Sequence, residues 1–135
     1  MDQLLFFVER KRILKEQFQK LKDEFLTEEQ SSIVELREKP DYYWPIYRSW
    51  SGGFTETNWK IEKGCVIGID WIHVYICLPQ QKDLGALLLT IAHEFAHVYL
   101  AFNNLDEYHD GSPEHNRYKN YFFEYLVKNF KKNSC

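Results

Sequence analysis

The chain has 135 residues, of which 44% are apolar, enough for one domain with a substantial core. Its formal charge of −3 and pI near 5.9 give no global pull toward nucleic acid or an anionic membrane surface. Its 3 cysteines, Cys65, Cys77 and Cys135, contain no C-x-x-C pair, which argues against a disulfide framework and against a cysteine zinc ribbon.

Residues 2–26 read as one long helix, because Phe7, Leu14, Phe18, Leu21 and Phe25 recur at intervals of three, four or seven with charges between them. The repeat is brief and rich in aromatics, so a face packed on the core is expected in preference to a dimerising coiled coil. The mixture Glu9-Arg10-Lys11-Arg12, with Glu16 close behind, reads as a solvated face of that helix. The apolar stretch from Leu4 to Val8 is too short for the core of a secretory signal. No uninterrupted apolar run reaches the roughly 18 residues of a membrane span. A cytoplasmic location with no membrane partner is therefore expected. A second helix is expected over residues 28–38, with Thr27 as its N-cap and Pro40 as its stop.

Residues 41–53 carry Pro45, Gly52, Gly53 and several aromatics, the composition of an irregular connection. Two strands follow, over 54–61 and 65–78, joined by the turn Glu62-Lys63-Gly64. In the second of them Ile72, Val74, Ile76 and Leu78 alternate with His73, Tyr75 and Cys77, the period of a half-buried strand. Pro79 closes the sheet region. Asp83 then caps a helix over 84–102 that is apolar almost all round (Leu87, Leu88, Leu89, Ile91, Phe95, Val98, Leu100), and such a helix is buried. Asn103-Asn104 ends it, and a polar loop over 105–111 leads to Ser112-Pro113-Glu114, an N-cap, first-turn proline and first-turn acid that open a last helix over 113–131.

Within the apolar helix stands His93-Glu94-Phe95-Ala96-His97, an H-E-x-x-H motif. Residues four apart share one helix face, so the two imidazoles can grip one metal ion while Glu94 lies beside it and handles the proton of a water. An unpartnered carboxylate in an apolar interior is very costly, and a metal beside an open, polar cleft removes the difficulty.

The run Thr90-Ile91-Ala92-His93-Glu94-Phe95-Ala96-His97-Val98-Tyr99-Leu100 resembles the active-site helix of zincin metallopeptidases, most of all the SprT-like and related minimal zincins. Those share a T-x-x-H-E-x-x-H helix, an Asn-containing loop and a third histidine near the start of the next helix. Here Asn103-Asn104 and then Asp110-Gly111-Ser112-Pro113-Glu114-His115-Asn116 occupy that region, and the resemblance covers roughly residues 72–123. The chain departs from the family where a histidine would precede the proline, since Gly111 stands two residues before Pro113. Two candidates for the third ligand follow. His115 is favoured, because a helix-borne ligand is better fixed and Tyr118 and Phe122 on the same face could dock that helix. His109, on the preceding loop, is the alternative. Glu107 and Glu114 are weaker options as a glutamate ligand.

The resemblance implies a single zincin-like α+β domain over residues 1–135. It would comprise N-terminal helices over 1–39, then a small twisted mixed sheet, the H-E-x-x-H helix and a ligand-bearing C-terminal helix over 54–131. It implies Zn2+ held by His93, His97 and His115 (or His109), Glu94 as general base, and a peptide or protein substrate lying along an edge strand near residues 73–78. Asp110 suits a hydrogen bond to the free nitrogen of a ligand imidazole, or a turn. Tyr99, Tyr108 and Tyr118 are candidates for an oxyanion partner or for packing, and His73 reads as a structural histidine on a strand. Two alternatives stand beside the peptidase: a non-catalytic zincin-like module for binding or regulation, and an SprT-like protease acting on DNA-associated proteins. The acidic balance means that nucleic-acid binding by the chain alone is not expected, and no feature fixes an oligomeric state.

Overall fold

The computed structural model describes residues 3–38, 43–44, 49–50, 52–104 and 110–133. The first element, α1 (Gln3–Phe25), buries Phe6, Ile13, Leu14, Gln17, Phe18 and Leu21. Phe7, expected on that face, is 51% exposed. Phe6 and Phe7 straddle the centre of the stripe at about equal angles, one residue advancing the helix by roughly 100°, and at this end of the helix it is Phe6 that meets the core.

The helix expected over 28–38 is a single turn, α2 (Glu28–Ser32). Its start is as the sequence suggests: Thr27 Oγ1 accepts from Gln30 N–H at 3.0 Å, and Gln30 Oε1 accepts from Thr27 N–H at 3.0 Å, a complete capping box. The chain then turns into β1 (Val34–Glu38), paired in parallel with the strand β5 (Cys65–Ile76). Val34 and Leu36 alternate with Glu35 and Arg37, so burying the Val34 side selects an extended chain over a helix. Pro40 and much of the connection over 41–53 lie outside the described residues. Within that stretch β2 (Tyr43–Trp44) and β3 (Ser49–Trp50) pair antiparallel.

β4 (Gly53–Glu62) and β5 form a long hairpin. Its two-residue loop is Lys63-Gly64, both with positive φ (52° and 80°), the twist that matches two antiparallel strands. The sheet order is β1-β5-β4, a small mixed sheet as expected. β5 is its central strand, so residues 73–76 have neighbours on both sides and no free edge for a substrate, contrary to expectation. Among the described residues β4 is hydrogen-bonded to a neighbouring strand on one side only. Ile72, Val74 and Ile76 point to the helices and are fully buried, whereas Trp71, His73 and Tyr75 point to the opposite face. The strand stops at Ile76, and a 3-10 turn over Leu78–Gln80 carries Pro79.

The central helix α3 (Leu84–Asn104) starts where Asp83 Oδ1 accepts from Ala86 N–H at 2.8 Å. It runs past 102 to Asn104, with the Asn103 amide donating to Tyr99 C=O at 2.7 Å. By length and composition, with mean hydropathy 1.4, α3 could cross a membrane. Counting uninterrupted apolar residues missed this, because His93, Glu94 and His97 break the run. Its hydropathy is used inside the fold, where it packs on α1, β4, β5 and the last helix, α4 (Pro113–Asn133). Phe95 is the hub of that packing, edge-on to Phe18 at 6.0 Å and to Phe122 at 4.9 Å between ring centroids. Ser112 caps α4, its Oγ accepting from His115 N–H at 3.2 Å.

Candidate metal centre

The helical repeat places His93 and His97 on the face of α3 that looks toward the start of α4, with ring centroids 5.4 Å apart. The Ser112-Pro113 helix start puts His115 in the first turn of α4. Its ring stacks on His97 at 4.1 Å and stands edge-on to His93 at 4.4 Å. The preferred third histidine therefore joins the other two, and the packing expected of Tyr118 and Phe122 holds: Phe122 is buried and Tyr118 packs against the core. His109, the alternative, lies outside the described residues, as do Glu107 and Tyr108. Glu114 is exposed on α4.

Asp110 is the fourth member of the group. Donor atoms of His93, His97, Asp110 and His115 all lie within 4.8 Å of one another, close enough to hold one metal ion. Asp110 does not meet outward-facing imidazole nitrogens as a second-sphere partner would. Its Oδ1 lies 2.7 Å from His97 Nε2 and 3.1 Å from His93 Nε2, between the two rings.

His115 supplies the test of whether a metal fits. It is fully buried, and its Nε2 lies 3.0 Å from His93 C=O. A carbonyl only accepts, so Nε2 carries the hydrogen and the neutral ring keeps its lone pair on Nδ1. That nitrogen has no hydrogen-bond partner among the described residues. A buried, bare acceptor is costly, and a cation would satisfy it. The carbonyl bond is also the usual device that fixes the orientation and tautomer of a metal-binding imidazole. Burial, followed by the charge of His97, lowers the His115 pKa to about 4, and burial likewise lowers that of His93. Both rings are thus neutral, as ligands must be. Burial pushes the Asp110 carboxyl up, but the His97 hydrogen bond and the neighbouring imidazoles outweigh it and hold it below its ordinary value.

Glu94 is 4% exposed and points to the sheet side of the group, its Oε2 3.9 Å from His93 Nε2. Oε1 accepts from Thr55 Oγ1 at 2.8 Å. Burial pushes its pKa up to about 8, against the opposing Thr55 hydrogen bond. A bound cation would draw it back down. Close approach of β4 depends on Gly53, where a Cβ would lie 3.0 Å from Glu94 Cγ and Oε2 and 3.1 Å from Thr90 Cγ2. A buried glutamine fixes this approach. Gln81 donates to Gly52 C=O and Cys77 C=O, both at 3.0 Å, and accepts from Thr90 Oγ1 at 2.8 Å. Sequence reasoning missed Gly53, Thr55 and Gln81. The Gly52-Gly53 pair opening a strand was the one available signal of a close backbone approach.

The remaining candidates are elsewhere or otherwise occupied. His73 stacks on Trp71 at 4.0 Å on the opposite sheet face, 3.6 Å from Glu35, the structural role expected of it. Tyr99 and Tyr118 pack on each other and on Phe122.

No family model matches the chain, and neither the characterised proteins nor the solved structures compared with it give a match.

Proposed function

We propose that this chain is a zinc-dependent peptidase of the zincin type, hydrolysing peptide bonds in peptide or protein substrates. The observation that carries the proposal is a trio of convergent imidazoles, His93, His97 and His115, with the carboxylate of Glu94 buried beside them. A purely structural site gives no reason to bury a carboxylate at that cost. When bound, zinc supplies a Lewis acid that acidifies water and polarises a carbonyl. His93 and His97 would hold it from adjacent turns of α3, and His115 from α4. Thr55 orients Glu94 through Oε1, leaving Oε2 to take the proton of the attacking water and return it to the departing amine. A peptide aligned along β4 near residues 55–58 would bring its backbone past Glu94, which the central strand β5 cannot do.

The decisive experiment is Glu94→Gln. Expected are full zinc stoichiometry by elemental analysis and peptidase activity reduced by about 100- to 10,000-fold, the range for loss of a general acid–base group. Undiminished cleavage by this variant, or a wild-type protein that cleaves nothing when loaded with zinc, would overturn the reading. The latter result would favour the non-catalytic module, for which a four-donor group including Asp110 is the supporting observation.

A further inference from the structure

We propose that Asp110 is itself a metal donor in the resting protein, completing a four-ligand shell that excludes water and small anions until substrate binding displaces the carboxylate. This rests on the metal-site reading above and adds its regulation.

The first argument is position. An outer partner of a ligand imidazole binds the ring nitrogen that faces away from the metal. Asp110 Oδ1 instead touches Nε2 of both His93 and His97, the two nitrogens that adjacent helical turns bring together. It stands where a shared ion has its remaining donor. The second is distance. Donors at about 2.0–2.1 Å around a tetrahedral zinc are roughly 3.3 Å apart. The observed 2.7 and 3.1 Å are within an ångström of that spacing, and all four donors lie within 4.8 Å of one another. The third is donor count. Three neutral imidazoles and one carboxylate fill a tetrahedral shell, whereas a hydrolytic site keeps one position for water. Closure by Asp110 and catalysis through Glu94 are compatible only if Asp110 can leave.

The local structure separates the four donors accordingly. The imidazoles are held by two packed helices, and His115 is fully buried. The Asp110 side chain is 71% exposed. It enters from a turn whose next residue, Gly111, has φ +82° and accepts at its carbonyl from the Asn116 amide at 3.2 Å. Removing an exposed carboxylate from the ion disturbs no core contact, while removing any imidazole would.

Cobalt-loaded protein tests this without recourse to activity, with azide as the exogenous ligand. The wild type should give a visible spectrum little altered by azide. Asp110→Ala and Asp110→Asn should keep the fold by circular dichroism, bind cobalt more weakly, and show an azide-dependent spectrum. The affinity loss should at least match that for an outer-shell partner, about 10–100-fold. Equal cobalt affinity and equal azide response in wild type and both variants would overturn the inference while leaving the three-histidine site standing. Failure of the wild type to bind cobalt or zinc at all would remove the metal site and this inference together.

Discussion

At the residue scale the site is governed by who stands against Glu94. Its carboxylate is shielded by two β4 residues, Thr55 through a hydrogen bond and Gly53 through the lack of a side chain. A methyl at position 53 would press on Glu94 Cγ and Oε2 at 3.0 Å while Thr90 crowds it from the other side at 3.1 Å. Gly53→Ala should therefore move Glu94 without touching the imidazoles. The expected outcome is unchanged zinc stoichiometry, a large fall in kcat, and a stability loss of about 1–3 kcal/mol in urea unfolding, the usual cost of overpacking. Gly68→Ala is the control, because a Cβ there meets only Lys60 Cδ at 3.8 Å and should change neither quantity. The motif residues were legible in the sequence because two histidines and a glutamate at helical spacing are a local pattern. Gly53, Thr55 and Gln81 were not, since their roles come from a strand and a turn that reach α3 only after the chain has folded back.

At the element scale, local chemistry and tertiary pairing divide what could be read. The starts of α2, α3 and α4 followed from Thr27, Asp83 and Ser112, whose side chains cap the neighbouring backbone. The conversion of residues 34–38 into a strand did not, because β1 is held by β5, far along the sequence. The assignment of β5 as an edge failed for the same reason: its second neighbour is this unforeseen strand. The β4–β5 hairpin was legible from its alternation and turn, yet one of its residues works against the turn. Lys63 adopts φ 52°, a conformation that a β-carbon makes unfavourable and that asparagine tolerates. Lys63→Asn gives the favoured Asn-Gly loop and is expected to raise stability by about 0.5–1 kcal/mol. A shift of the urea midpoint at constant m-value would show it, and no gain would mean that the turn carries no strain.

At the scale of the whole molecule the candidate metal would act as a staple. His93 and His97 sit on α3, His115 on α4, and the two helices join through residues 105–112. An ion bound only by the folded arrangement stabilises it by RT ln(1 + [L]/Kd), about 4 kcal/mol at a thousandfold excess over Kd. For a chain of this size that is on the order of 10–20 °C in Tm. Chelation should lower Tm by that amount, and zinc should restore it. The mutants then assign the staple. His115→Ala should show a much smaller zinc-dependent shift, because only His93, His97 and the exposed carboxylate of Asp110 remain to hold the ion. His109→Ala should keep the full zinc-dependent shift. The reverse pattern would transfer the third ligand to His109. The outcome also bears on how the fold tolerates a cluster of polar groups at its centre. Bare His115 Nδ1 and buried Glu94 both raise the energy of the metal-free protein, so the free protein should be the less stable form by more than loss of a surface ion would predict. In the metal-free state burial makes Glu94 take up a proton on folding at pH values above its ordinary pKa, and Glu94→Gln removes that cost without removing volume. It should therefore raise Tm at pH values above the ordinary glutamate pKa, the opposite of its expected effect on turnover.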